Sequence, residues 1–200
     1  MKIVNCIFFV LVAKFQVNAQ IKHSVYIAPG INLYQFKASN LVQYPRFISS
    51  YQGSLGYRIQ YQLNRISFNS NAELKCSNIK FNSNNLQNKY SGYLSNSEFG
   101  IGSSYRFYKG FSTGLDLKLI HNLSQSGLFF DRLYQLDKDY FAFSILLQYL
   151  FNQRFEIGIH VSAPFGNQIS NLKDLSGEEI FGSYQRIYLN NLDFRIYYNF

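Results

Sequence analysis

The chain has 200 residues, the length of one domain, with 20 Phe, 17 Tyr, no Trp and 3 Pro, and only 15% of its residues charged. Such an aromatic-rich, charge-poor composition sits apart from ordinary soluble and disordered proteins. Two cysteines exclude a disulfide-stapled scaffold, and beyond the N-terminus no stretch is long and apolar enough for a membrane helix.

Met1-Lys2, the apolar run Ile3 to Val12 and the small-residue site Val17-Asn18-Ala19 have the layout of a secretory signal peptide over residues 1–19. A spanning helix would need ~20 apolar residues, and Lys14 interrupts this shorter run. Cleavage after Ala19 leaves a single domain over 20–200 beginning at Gln20. It also removes Cys6, so that Cys76 stands alone as a small strand residue. The formal charge of +8 could suit nucleic acid, but an exported chain rarely meets any.

From there the sequence alternates. In the first run, about Ser24 to Phe36, Val25, Ile27, Ile31 and Leu33 oppose Tyr26, Ala28, Gly30, Asn32 and Tyr34. Pro29 falls on the apolar side and removes a ladder donor, so a bulge or a weak pairing is expected there. After a polar connection from Lys37 to about Ser50, Tyr51, Gly53, Leu55, Tyr57, Ile59, Tyr61 and Leu63 alternate without a break. Only Asn64-Arg65 separates them from the third run, Ile66 to Cys76, which predicts a tight hairpin. A connection over about Ile79 to Tyr90 precedes a fourth run with Phe99, Ile101, Tyr105 and Phe107 on one face. A turn at Tyr108-Lys109-Gly110 leads to the fifth, with Phe111, Leu115, Leu117 and Leu119. A long connection from Ser124 to Asp139 follows. The sixth run carries Phe141, Phe143, Ile145, Leu147, Tyr149 and Phe151, and a turn at Asn152-Gln153-Arg154 gives the seventh, Phe155 to Ala163. After a last connection from Gly166 to Gly182, the eighth run ends on Leu192, Phe194, Ile196, Tyr198 and Phe200, alternating with Asp193, Arg195, Tyr197 and Asn199.

Alternate side chains of a strand point to opposite faces. Most runs have ~9–11 residues or a little more, the length a tilted strand needs to cross a bilayer. Short and long connections alternate strictly, as they do in transmembrane barrels with short turns at one end and long loops at the other. A lipocalin-like soluble barrel would fill its interior with the apolar residues. Here the polar side is rich in small Gly, Ser, Ala and Asn, which suit a narrow lumen. The expected fold is therefore an all-β, eight-stranded antiparallel up-and-down transmembrane β-barrel with its greasy stripe outward.

The terminal pattern closing on Phe200 resembles the C-terminal signature of bacterial outer-membrane barrels. The whole chain resembles the small outer-membrane β-barrel proteins common in Bacteroidota, grouped as a "porin family". It is similar in architecture to the transmembrane domain of outer-membrane protein A and to outer-membrane protein X. The resemblance implies the bacterial outer membrane as location. It makes Leu192, Phe194, Ile196, Tyr198 and Phe200 the insertion signal read by the barrel-assembly machinery, and implies no shared activity. Outer-membrane lipid and lipopolysaccharide are then the expected surroundings, and the positive charge suits lipopolysaccharide phosphates. Nucleic acid is not an expected partner, and a monomer is expected.

The polar faces carry Arg58, Lys75, Arg106, Lys118 and Arg195 against Glu73, Glu98, Asp116, Glu156 and Asp193. Charges in a lumen too narrow for a channel must pair, so these ten are expected to form a network that plugs the barrel. A narrow ion or solute path lined by them is the alternative. No catalytic, metal-binding or cofactor residues are expected, and the chain is read as non-enzymatic. Gly100-x-Gly102 lies inside a strand with no helix following, so it is not a nucleotide loop. His160 is expected to be a hydrogen-bonded lumen filler. His121, on the outward side near Ser124, raises a second alternative, a lipid A-modifying enzyme, but no carboxylate partner is evident from spacing. In the third long connection, Leu128, Phe129, Phe130 and Tyr134 form an apolar and aromatic cluster. It would serve either as a binding patch for an extracellular ligand or as an extension of the flanking strands.

Overall fold

The computed structural model describes residues 19–37, 47–82, 89–127, 134–136, 138–165, 169–172 and 186–200. The expected signal segment up to residue 18 and the cluster residues Leu128, Phe129 and Phe130 lie outside them. Among the described residues there are ten strands: β1 (Ala19–Lys37), β2 (Phe47–Leu63), β3 (Ile66–Asn82), β4 (Lys89–Tyr108), β5 (Phe111–Ser126), β6 (Tyr134–Leu136), β7 (Asp139–Leu150), β8 (Phe155–Pro164), β9 (Ile169–Leu172) and β10 (Arg186–Asn199). Eight of them close into a barrel in the order β1-β10-β8-β7-β5-β4-β3-β2, every neighbouring pair antiparallel. This is the expected up-and-down barrel.

Its polarity follows from the alternation. Leu55, Tyr57, Leu117 and Phe143 are 62%, 38%, 45% and 39% exposed, whereas Arg58, Asp116 and Lys118 are 2%, 3% and 0% exposed. The apolar stripe therefore covers the exterior and the polar stripe fills the interior, the reverse of a water-soluble barrel.

The short turns have sequence causes. Asn64 takes a left-handed conformation (φ 55°) and Gly110 another (φ 80°), regions that Asn and Gly enter most readily. In the third, Asn152 Oδ1 accepts the backbone N–H groups of Arg154 and Phe155, both at 2.8 Å, an Asx-type turn.

Three expectations need correction. The first four strands run to 17–20 residues, well beyond the ~10 that cross a bilayer. The β3–β4 ladder continues through Ile79↔Gly92 to Asn82↔Lys89, inside a stretch read as a connection. In the sequence the apolar residues change phase there (Ile79 and Phe81 follow Ser77), so the alternation that marks the run stops while the strand pairing continues. The long connections after β5 and β8 also hold strand: β6 pairs with β9, Tyr134 opposite Leu172.

Pro29 acts through one neighbour only. The β1–β10 ladder runs from Ile27↔Ile196 to Gly30↔Asp193 and omits Ala28 and Pro29, while on the other side Pro29↔Gly53 keeps its place against β2. The register is the same on both sides of the gap, so this is an interruption and not a bulge.

Candidate functional site

The interior is crossed by ion pairs, three of them between strands that are not neighbours. Arg58 on β2 reaches Glu156 on β8 with two parallel bonds, Nη1 to Oε1 at 2.7 Å and Nη2 to Oε2 at 3.0 Å. Such bidentate pairs are strong and directional. A second cluster joins β3, β4, β5 and β10. Lys75 Nζ lies 2.8 Å from Glu98, 3.4 Å from Asp193 and 3.7 Å from Glu73. Lys118 Nζ meets Glu98 at 3.0 Å, and Arg195 Nη2 meets Glu73 at 2.7 Å and Asp193 at 3.5 Å.

Register explains why these cations are needed. Glu73 and Glu98 sit directly opposite each other on β3 and β4, a like-charge pairing that destabilises a sheet. Lys75 stands between them, bridging both. Of the ten sequence-derived charges, eight are in these two clusters. Asp116 is buried and accepts a hydrogen bond from Asn71 Nδ2 at 3.3 Å. Arg106 is only half-buried near the turn end, where it donates to Gln62 at 3.4 Å.

Aromatic rings complete the filling. Tyr26 and Tyr197, both 1% exposed, lie 4.9 Å apart at their centroids. Arg58 stacks over Tyr197 at 3.9 Å and Arg195 over Tyr26 at 4.7 Å, favourable cation–π geometry. Tyr26 donates its hydroxyl to Glu73 at 3.0 Å, and Gln52 donates to Asp193. His160 is buried with Nε2 2.9 Å from the Tyr197 hydroxyl. Space for Tyr26 comes from Gly56, where an added Cβ would overlap the tyrosine ring. Tyr26, Tyr197 and Gln52 were not singled out in the sequence; the available signal was large side chains in the polar phase of otherwise small-residue runs.

The interior is not wholly polar. Leu94, Ile120, Tyr140, Ala142 and Leu146 are buried on its side, with Ile120, Tyr140 and Ala142 packed together. These larger apolar residues stand beside the small Ser, Asn and Ala of the inner face and were not named from the sequence.

On the exterior, Leu192, Phe194, Ile196, Tyr198 and Phe200 are all exposed, between 38% and 67%, while Asp193, Arg195, Tyr197 and Asn199 between them are buried. Phe200 N–H bonds the His23 carbonyl at 3.0 Å, and the His23 and Phe200 rings stack at 6.2 Å. His121 has a carboxylate partner after all: Asp139 Oδ1 is 2.6 Å from its Nδ1. These residues are directly opposite on β5 and β7, a juxtaposition set by register across a connection and so hidden from spacing. Ser124, however, shares its hydrogen bond with Ser95 at 2.6 Å rather than with His121. The nucleophile-to-base contact of a hydrolase is therefore not made by that serine. Among the described residues no group of three or more His, Cys, Asp or Glu is placed to hold a metal.

The geometry defines a closed eight-stranded barrel with an apolar exterior and an ion-paired interior. No family model matches the chain, and no curated protein matches it. Among solved structures it is similar to Neisserial surface protein A, at 10% identity and a TM-score of 0.50 over 88% of this chain and 97% of that one. It is also similar to Ail, the attachment invasion locus protein of Yersinia pestis, at 12% identity and a TM-score of 0.44 over 90% and 99%. OprG, an outer membrane protein of Pseudomonas aeruginosa, aligns at 10% identity and a TM-score of 0.43 over 88% and 95%. At 10% identity the likeness to Neisserial surface protein A is one of fold.

Proposed function

We propose that this chain is an integral outer-membrane barrel, exported by residues 1–19, with a lumen closed by side chains. It serves as a non-enzymatic envelope component whose recognition surface lies on the long connections. The exterior supports the membrane reading, since a continuous belt of exposed Leu, Ile, Phe and Tyr side chains suits hydrocarbon and not water. On the barrel pattern the short turns face the periplasm and the long connections face outward.

The observation that carries the closed lumen is the bidentate Arg58–Glu156 pair spanning the barrel from β2 to β8. The buried Lys75, Glu98 and Lys118 lie across the same interior. Barrels of eight strands have just enough interior for side chains. Planar-bilayer recordings of purified protein test this: the expected result is no steady single-channel step. A reproducible conductance would replace the plug with a narrow pore. Deleting Leu128 to Tyr134 is expected to leave a folded barrel and to remove binding to the extracellular ligand.

A further inference from the structure

The outward face carries one feature that a uniform lipid-facing wall would lack. Ala72 on β3 stands between Tyr57 on β2 and Phe99 on β4, its direct partners. The small side chain leaves a groove of ≈ 380 Å³, walled by Leu55, Tyr57, Leu74, Phe99 and Ser97. Tyr57 is drawn toward the turn end by its hydroxyl, 2.5 Å from His23 Nδ1, which holds that wall back.

Two residues nearer the loop end, the register turns polar. Leu74 is opposite Ser97, Ser97 opposite His121, and His121 opposite Asp139. Ser97 therefore forms the groove's upper rim and starts a polar row along the exterior, continued by the hydrogen-bonded His121–Asp139 pair. The His121 and Asp139 side chains are 35% and 55% exposed. One row further, Ser95 and Ser124 add two more outward hydroxyls. An imidazole and a carboxylate left facing hydrocarbon would be costly; facing a polar headgroup they would be solvated.

We propose that groove and polar row together form a binding site for one acylated sugar of the outer leaflet, with an acyl chain over Ala72 and sugar hydroxyls on Ser97, His121 and Asp139. The inference rests on the outer-membrane reading. Chain packing alone would not select a lipid, because the bilayer offers every groove an acyl chain. Selection falls to the headgroup. The Asp139 carboxylate accepts hydroxyl and amide hydrogens, and an acylated amino sugar offers both where a glycerol headgroup has no amide.

The test is native mass spectrometry of the full barrel in detergent, titrated in parallel with lipid A and with phosphatidylglycerol. The wild type is expected to hold one lipid A with about tenfold preference, the equivalent of one or two well-placed hydrogen bonds. Ala72→Phe, which fills the groove from the outside, is expected to lose most lipid A occupancy. Asp139→Ala is expected to bind both lipids equally. Equal occupancy by the two lipids in the wild type, or undiminished lipid A on Ala72→Phe, would overturn the site. Heat-modified migration is recorded for each sample, so that a collapsed variant is recognised. A wild type that lacks the shift would instead unseat the barrel reading beneath the proposal.

Discussion

Arg58 and Glu156 show what a single buried pair does in a lumen. Each is taken from water into a narrow interior, and the bidentate geometry offsets the desolvation only while both are present. Glu156→Gln should therefore lower the unfolding free energy by about 3–5 kcal/mol, measured by urea titration of the refolded barrel in detergent. The double change Arg58→Met with Glu156→Leu should recover most of that loss, because no lone charge remains. If the single and the double variant are equally unstable, the pair is not a coupled unit. The ten charges could be found by their phase in the alternation, but their partners could not. Lys75 and Asp193 are far apart in sequence and lie on β3 and β10, strands that never touch. Only closure brings them together. The His121–Asp139 contact was hidden for a related reason, since it depends on where β7 re-enters the sheet.

At the scale of the strand, the outward stripe was legible because a period of two against hydrocarbon admits few exceptions. Legibility ended where that constraint ended, as at Ile79, where pairing persists without a stripe. Inside, strands are fitted by exchanging bulk: Gly56 on β2 is the direct partner of Tyr26 on β1. A Cβ at position 56 would meet the Tyr26 ring, so Gly56→Ala must displace that ring from Glu73. A loss of about 1–3 kcal/mol is expected, typical of overpacking, seen as a lower urea midpoint. Gly53→Ala on the same strand is the control, since nothing lies near its would-be Cβ. The last strand makes a separate prediction. Phe200 is 67% exposed and outside the interior; if it is the insertion signal that the resemblance implies, its deletion should slow assembly in cells while changing the midpoint of the refolded barrel little. Pulse-chase fractionation and the same urea titration separate those two effects.

The whole molecule is a wall turned inside out relative to soluble barrels, with cross-braces through its middle. The Arg58–Glu156, Lys75–Asp193 and Arg195–Glu73 pairs run between strands that are not neighbours in the ring, so the interior resists flattening as well as opening. The expected signature is a compact band on unheated gels that shifts on boiling, retained at low denaturant and lost in one step. Gradual loss, element by element, would argue against braces that act together. The fold's outline was open to reading because eight runs, three tight turns and a terminal aromatic agree with one another. The apolar packing of Ile120, Tyr140 and Ala142 was not, since those residues fall in the polar phase of their strands.

Ala28 and Pro29 give the ring a preferred place to part. All other junctions are made by strands consecutive around a hairpin or long connection, whereas β1 and β10 meet only because the ends of the sheet find each other. At that junction two successive rungs are missing between Ile27 and Gly30. The amides of β10 alternate in direction, Phe200 N–H toward β1 and Asn199 N–H toward the β8 side, so deuterium should enter first at Phe194, which faces the gap, and later at Arg195, which faces the intact β8 ladder. Replacing Pro29 with Val should slow that uptake. A zip fastener fails from its missing teeth, and this one has them midway along the join between its two ends.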